Sequence, residues 1–219
     1  MHKITPIAHI YTDFHSKFGV PRQHGIGELM GKIVFEKPFR DINMLRGLEK
    51  FSHIWLLWIF SENINAGYSA TVRPPRLGGN KRRGVFATRA PFRPNSIGMS
   101  AVKIEEIIFE CEESPIIIVS GVDMVNKTPI IDIKPYIKTD IINSATFPNI
   151  IHKLNVEIEE SLLCKVPADK QSALIKILEE DPRPSYHKDG RQYGFYFAGM
   201  EIIFTVDCDT LRVIDVINI

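Results

Sequence analysis

Apolar positions in the first 140 residues fall in short clusters, not in long runs. Ile4–Tyr11, Lys32–Phe35, His53–Phe60, Gly84–Thr88, Ala101–Phe109, Ile116–Val122 and Ile130–Ile133 are rich in Ile, Val and aromatic residues, and Gly, Pro and Asn separate them. Such side chains suit a pleated, half-buried surface and such separators suit turns, so each cluster predicts a β-strand. No segment of helical period interrupts them, apart from a turn of helix near Asp41–Leu48. Many short strands at close spacing favour a barrel or sandwich over a βαβ fold.

The pattern changes near residues 140–150. Asn143–Asn149 (NSATFPN) reads as a linker, and Val156–Leu163 as a strand. Ala168–Glu180 places Ala173, Leu174, Ile177 and Leu178 at helical spacing, which predicts an amphipathic helix. Asp181–Pro184 (DPRP) ends it, because proline lacks an amide donor and restricts the residue before it. Tyr193–Phe197 and Glu201–Val206, joined around Ala198-Gly199, and Leu211–Ile217 predict three closing strands. The expected fold is mainly β, with a barrel-like domain over 1–142 and a small α+β domain over 150–219.

Composition adds little to this picture. At 219 residues, 44% hydrophobic and 24% charged, the chain is an ordinary globular protein. It is long enough to bury roughly 70% of its unfolded surface without disulfides or a structural metal. Cys111, Cys164 and Cys208 are odd in number and lack CxxC spacing, so they read as reduced, semi-buried small hydrophobes of a cytoplasmic protein. The first residues lack the apolar core of a signal peptide, and the longest apolar run, Ile54–Phe60, is too short to span a bilayer.

Charge distribution says more than net charge, which is +1. Between Asn63 and Ile104 there is no acid, yet there are eight basic residues: Arg73, Arg76, Lys81, Arg82, Arg83, Arg89, Arg93 and Lys103. A neutral protein with one concentrated basic stretch suits a localised polyanion site, although solvated or paired arginines would give the same sequence.

Two motifs lead nowhere. Gly25-Ile26-Gly27-Glu28-Leu29-Met30-Gly31 lacks the preceding buried strand that a nucleotide-binding glycine loop requires, so its glycines read as turns. Seven scattered histidines form no metal-ligand pair, and His53 beside Ile54-Trp55 reads as a core or interface residue. Thr71–Asn80 (TVRPPRLGGN) and Gly84–Ser100 (GVFATRAPFRPNSIGMS) are more informative. Their prolines and glycines fix irregular extended shapes, their arginines can fork onto phosphate or carboxylate, and Phe86 and Phe92 can stack on a base. Long irregular segments with so many order-fixing residues are usually functional.

These two strings, with Phe18–Gln23 (FGVPRQ), Leu45–Trp55 (LRGLEKFSHIW) and Thr128–Tyr136 (TPIIDIKPY), resemble the TsaA-like (TrmO) family over roughly residues 3–140. Asp181–Tyr186 (DPRPSY) is similar to the family's C-terminal signature. The resemblance implies a homodimeric, barrel-like methyltransferase using S-adenosylmethionine. It further implies that the substrate is tRNA carrying N6-threonylcarbamoyladenosine at position 37, next to the anticodon. By match to the family's motifs, the cofactor should touch Pro21, Arg22, Gln23, Arg89, Met99, and the segment Lys127, Thr128, Pro129 and Ile130. Ser61 and Glu62 align with a further cofactor-contacting pair but depart from the His-Gln of many members, and Lys127 replaces a common glycine.

On the tRNA side the expected residues are Arg73, Arg76, Arg82, Arg83, Arg93, Arg183 and Tyr186. Methyl transfer from a sulfonium needs no metal, only placement of the nitrogen and exclusion of water. Asp132 and Tyr136 are candidates for the general base, or for structural hydrogen-bonding roles. The residues alone also fit a non-catalytic RNA-binding β-barrel, or a barrel binding a small anionic metabolite.

Overall fold

The computed structural model describes residues 3–21, 24–25, 29–74, 81–146, 153–183 and 190–219. Six strands close a barrel in the order β1 (Ala8–Thr12), β2 (Met30–Phe35), β7 (Ile116–Ser120), β6 (Ile97–Ile108), β3 (His53–Ile59) and β8 (Thr128–Pro135). All neighbours are antiparallel, and β8 pairs back onto β1 through Ala8–Ile130 and Ile10–Thr128. Alternation along β3 sets the layers. Ile54, Leu56 and Trp58 fill the barrel, while His53, Trp55, Leu57 and Ile59 face outward.

Between β3 and β6 the chain leaves the barrel as a lobe. It contains a two-stranded ribbon, β4 (Thr71–Val72) with β5 (Arg83–Gly84), and a 3-10 turn at Val85–Ala87. Phe60 N–H donates to Ser96 O at 2.8 Å, Ser69 N–H to Phe92 O at 3.2 Å and Val85 N–H to Ala70 O at 3.0 Å, so the lobe's two limbs are bonded together. The strand expected over Gly84–Thr88 is therefore mostly a turn, because Thr88 Oγ1 and N–H both bond back to Val85 O. The helical turn expected near Asp41–Leu48 appears as 3-10 turns at Ile42–Leu45 and Leu48–Lys50.

The C-terminal part is a four-stranded sheet, β10 (Gln192–Phe197), β11 (Met200–Asp207), β12 (Thr210–Asn218) and β9 (Asn155–Glu157), with helices α1 (Glu160–Leu163) and α2 (Ala168–Glu179). The strand expected over Val156–Leu163 stops at Glu157. Leu162 and Leu163 N–H both turn back to Glu159 O at 2.9 Å, starting α1 instead. Helix α2 buries the four residues expected, Ala173, Leu174, Ile177 and Leu178. Within the expected linker, Asn143–Thr146 forms no strand or helix, and Phe147–Asn149 lies outside the described residues. The three cysteines are exposed, not semi-buried. Cys111 and Cys208 sit at strand-connecting turns and Cys164 follows α1, so each lies where its element leaves the core.

One continuous core joins the two parts through the segment after β1. The Phe14 ring lies 6.0 Å from Phe197, and Phe18 lies 6.2 Å from Phe195 and stacks on Phe204 at 6.5 Å. Lys170 of α2 pairs with Asp13 at 2.5 Å.

Candidate functional site

The 121–127 connection from β7 to β8 is anchored on β1 and the residues after it. Asn126 N–H donates to Phe14 O at 2.7 Å, Lys127 N–H to Ile10 O at 2.8 Å, and Thr12 Oγ1 donates to Met124 O at 3.0 Å. Lys127 holds a left-handed backbone, φ 64°, which explains why glycine suits that position. Val122 and Met124 point into the core, and the residue between them, Asp123, stays partly open to solvent.

Asp123 ends a hydrogen-bonded chain that begins inside the barrel. Trp58 Nε1 donates to Ser100 Oγ at 3.0 Å, and Ser100 Oγ donates to Asp123 Oδ1 at 2.6 Å. The backbone amide of His24 also donates to this carboxylate. Arg89, on the lobe, lies close enough for its charge to act on both Asp123 and His24. Burial pushes the Asp123 carboxyl up to about 6, against the opposing pull of Ser100, its own amide, Arg89 and His24. Burial, and then Arg89, lower the His24 imidazole below its ordinary value.

Among the other cofactor-side residues, Pro21 is buried and Arg22 and Gln23 lie outside the described residues. Met99 is 49% exposed on the outer face, one position along β6 from the fully buried Ser100. Lys127 is exposed and Pro129 half-buried, whereas Thr128 and Ile130 face the core and present only backbone to a surface ligand. Glu62 and Ser61 begin a 3-10 turn, and Lys17 Nζ donates to Glu62 O at 2.8 Å. That bond ties the turn to the segment carrying the FGVPRQ string.

The candidate bases have other engagements. Asp132 pairs with Lys134 at 2.8 Å and accepts from Ile133 N–H, and Tyr136 packs on Trp55 at 5.3 Å and on His53 at 6.3 Å. Sequence reasoning passed over Asp123. Its one signal was a lone acid between two apolar residues, directly ahead of the Thr128–Tyr136 string.

On the lobe, Arg73, Lys81, Arg82 and Arg83 are exposed. Arg82 Nε donates to Thr71 Oγ1 at 2.7 Å, which braces the ribbon. Arg93 is held by Val85 O and Thr88 O, at 3.1 and 2.7 Å, and its guanidinium lies 5.7 Å from the Phe86 ring centre. Phe86 is 78% exposed, so one face of a cation-backed ring remains open. Arg183 forms a two-oxygen pair with Asp181 at 3.0 and 3.1 Å, and Arg76 and Tyr186 lie outside the described residues. A shallow groove of about 300 Å³ on the outer face of β1, β2 and β7, lined by Tyr11, Met30, Lys32 and Ile118, includes none of these residues.

A closed antiparallel barrel with a basic, aromatic lobe folded beside a buried carboxylate defines a β-barrel protein whose site can serve an anionic, base-bearing substrate. The chain belongs to the tRNA-methyltransferase O family: residues 9–140 match the tRNA-methyltransferase O N-terminal domain and residues 152–219 the TrmO C-terminal domain. It is 39% identical to the tRNA (adenine(37)-N6)-methyltransferase of Escherichia coli, over 86% of this chain and 85% of that protein. It is 35% identical, over 61% of this chain and 89% of the relative, to a protein of Methanothermobacter thermautotrophicus described as a "Probable S-adenosyl-L-methionine-binding protein". A crystal structure of TrmO from P. aeruginosa covers 100% of this chain and 97% of its own, at a TM-score of 0.78 and 31% identity.

Proposed function

We propose that this chain is an S-adenosylmethionine-dependent methyltransferase acting on N6 of adenine 37 in tRNA, and that this adenine already bears a threonylcarbamoyl group. The observation that carries the reading is the similarity to the E. coli tRNA (adenine(37)-N6)-methyltransferase along most of both chains. The chemistry of the residues present fits the cofactor. The exposed Arg89 guanidinium suits its carboxylate end, and the exposed Met99 thioether suits an adenine ring. When bound, S-adenosylmethionine supplies an electrophilic methyl group on a sulfonium.

The chain's own residues would then divide the work. Arg89 and Met99, with Pro21–Gln23 and Lys127–Ile130, hold the cofactor, Thr128 and Ile130 contributing backbone groups. Phe86, backed by Arg93, offers a stacking face for a base. Arg73, Arg76, Arg82 and Arg83 meet phosphate, which positions the RNA without reading its sequence. Arg183 and Tyr186 belong to the same RNA side. A cytoplasmic homodimer is the expected assembly, and no helix among the described residues is long and apolar enough to cross a membrane.

The test is methyl incorporation into tRNA from a strain lacking the endogenous enzyme, alongside calorimetric titration with S-adenosylmethionine. Binding without RNA and transfer to N6 are expected, both weakened by Arg89→Ala. RNA binding with no cofactor affinity would replace this reading with a non-catalytic RNA-binding barrel.

A further inference from the structure

We propose that Asp123 is the catalytic residue that accepts the N6 proton of the tRNA adenine, an inference that rests on the methyltransferase reading above. The lone pair on that nitrogen is delocalised into the ring and the carbamoyl carbonyl, so the nitrogen is a weak nucleophile while it keeps its proton. A base must remove it as the new bond forms. The lobe that carries Arg89 holds no acid between Asn63 and Ile104, so the acceptor has to come from another element. The 121–127 connection supplies one, Asp123, beside the His24 amide and within electrostatic reach of Arg89.

The surroundings of Asp123 are those of a prepared base and not of a structural ion pair. Ser100 and Trp58 form a buried relay that fixes the carboxylate through one oxygen, Oδ1. The His24 amide donates to it as well. The residue as a whole is half-buried, and its carboxylate is largely desolvated. Asp132 differs: it faces outward, pairs with Lys134, and among the described residues no buried relay reaches it. A carboxyl held near 6 is ionised at neutral pH yet binds a proton more strongly than a surface aspartate would.

The N6–H proton passes to the Asp123 carboxylate, and the electron pair left on N6 forms the bond to the methyl carbon. The carbon–sulfur bond breaks with its electrons on sulfur, leaving a neutral thioether. Asp123 then returns its proton to solvent. His24 and Arg89 are the titratable and charged groups that face it.

The experiment compares wild type, Asp123→Asn and Ser100→Ala, with cofactor at saturation and tRNA varied from below KM to saturation, across pH 5 to 9. Cofactor binding is measured by calorimetry, and the ligand-free Asp123 carboxyl is titrated by its Cγ chemical shift. Asp123→Asn should lower kcat about a hundredfold or more, the usual range for a lost general base, while cofactor affinity stays within about threefold. The wild-type Cγ shift should titrate near 6, with kcat/KM falling on the acid side of the same point. Ser100→Ala removes a bond that favours the charged form, so both midpoints should move to higher pH together. An active wild type with equally active Asp123→Asn overturns the base and leaves the methyltransferase reading standing. So does Asp123→Asn that loses cofactor affinity in proportion to kcat, since Asp123 would then be a binding residue. An inactive wild type overturns both.

Discussion

Gly19 lies against Phe195 so closely that a Cβ on the glycine would sit 2.0 Å from Cδ2 of the ring. The glycine has φ 90°, a backbone that side chains strain to adopt. Phe18 and Gly19 are thus seated on the C-terminal sheet, with Phe18 among Tyr193, Phe195 and Phe204. The sheet is remote in sequence from the barrel, but it shapes the segment that leads to His24 and Asp123.

Gly19→Ala should therefore destabilise the protein by about 2–4 kcal/mol, adding left-handed strain to overpacking. Calorimetric melting checks this. Cofactor affinity should fall with it, because the segment that follows is displaced. A melting temperature within a degree of wild type would show that the seat is not tight.

The Asp123 site opposes stability. Its folded carboxyl is raised from 3.8 to about 6, so the folded state holds a proton more tightly than the unfolded chain. Stability contributed by the protonated group is full below pH 4 and is lost as pH rises through 6. Asn does not titrate. Asp123→Asn should gain on wild type across that window, by about 3 kcal/mol once pH 8 is reached, provided its amide keeps the Ser100 bond. Urea melts at pH 4 and pH 8 measure the difference. An advantage that does not grow with pH would mean the carboxyl is not raised.

Much of the barrel was legible because its strands announce themselves locally. Ile116–Ser120 and His53–Ile59 are apolar, β-branched or aromatic and end at turn residues. Gly84–Thr88 deceived because its apolar residues, Val85 and Phe86, look strand-forming. A hydroxyl-to-carbonyl bond within the segment, at Thr88, favours a tight turn instead. Cys111, Cys164 and Cys208 misled for a related reason: residue type suggests burial, while position at a turn or helix end decides it. The basic lobe was visible as an acid-free stretch. Asp123 was not, since its role depends on Ser100, 23 residues earlier, and on Trp58, a further 42 before that. No spacing rule links residues across three connections of a barrel.

The basic ribbon offers a test of how the RNA is held. Arg83 is exposed on β5, and Arg82 keeps its side chain along the ribbon through Thr71. Substituting both with alanine should weaken tRNA binding for every sequence tried. The slope of log affinity against log salt should shrink by roughly 0.7–0.9 for each phosphate that the variant no longer neutralises. An unchanged slope would place the ribbon away from the RNA.

The remaining prediction concerns the threonylcarbamoyl group. It carries a carboxylate, and the lobe segment from Ala87 to Pro94 presents Arg93, half-buried, in a proline-fixed loop. The Val85 and Thr88 carbonyls hold one of its nitrogens, Nη1, and so orient the guanidinium. A guanidinium can grip a carboxylate with two parallel hydrogen bonds, fixing the plane of the carbamoyl group as well as its position. Losing one such charge-assisted bond costs about 1.5–3 kcal/mol. If the contact is complete in the transition state, that is roughly a ten- to hundredfold loss in rate. Otherwise identical tRNAs with and without the modification should therefore differ by at least that factor in kcat/KM. Arg93→Lys should narrow the gap between them, because a lysine keeps the charge and forfeits the fork. Equal rates on the two wild-type substrates would remove carboxylate capture from the account while leaving methyl transfer to adenine intact.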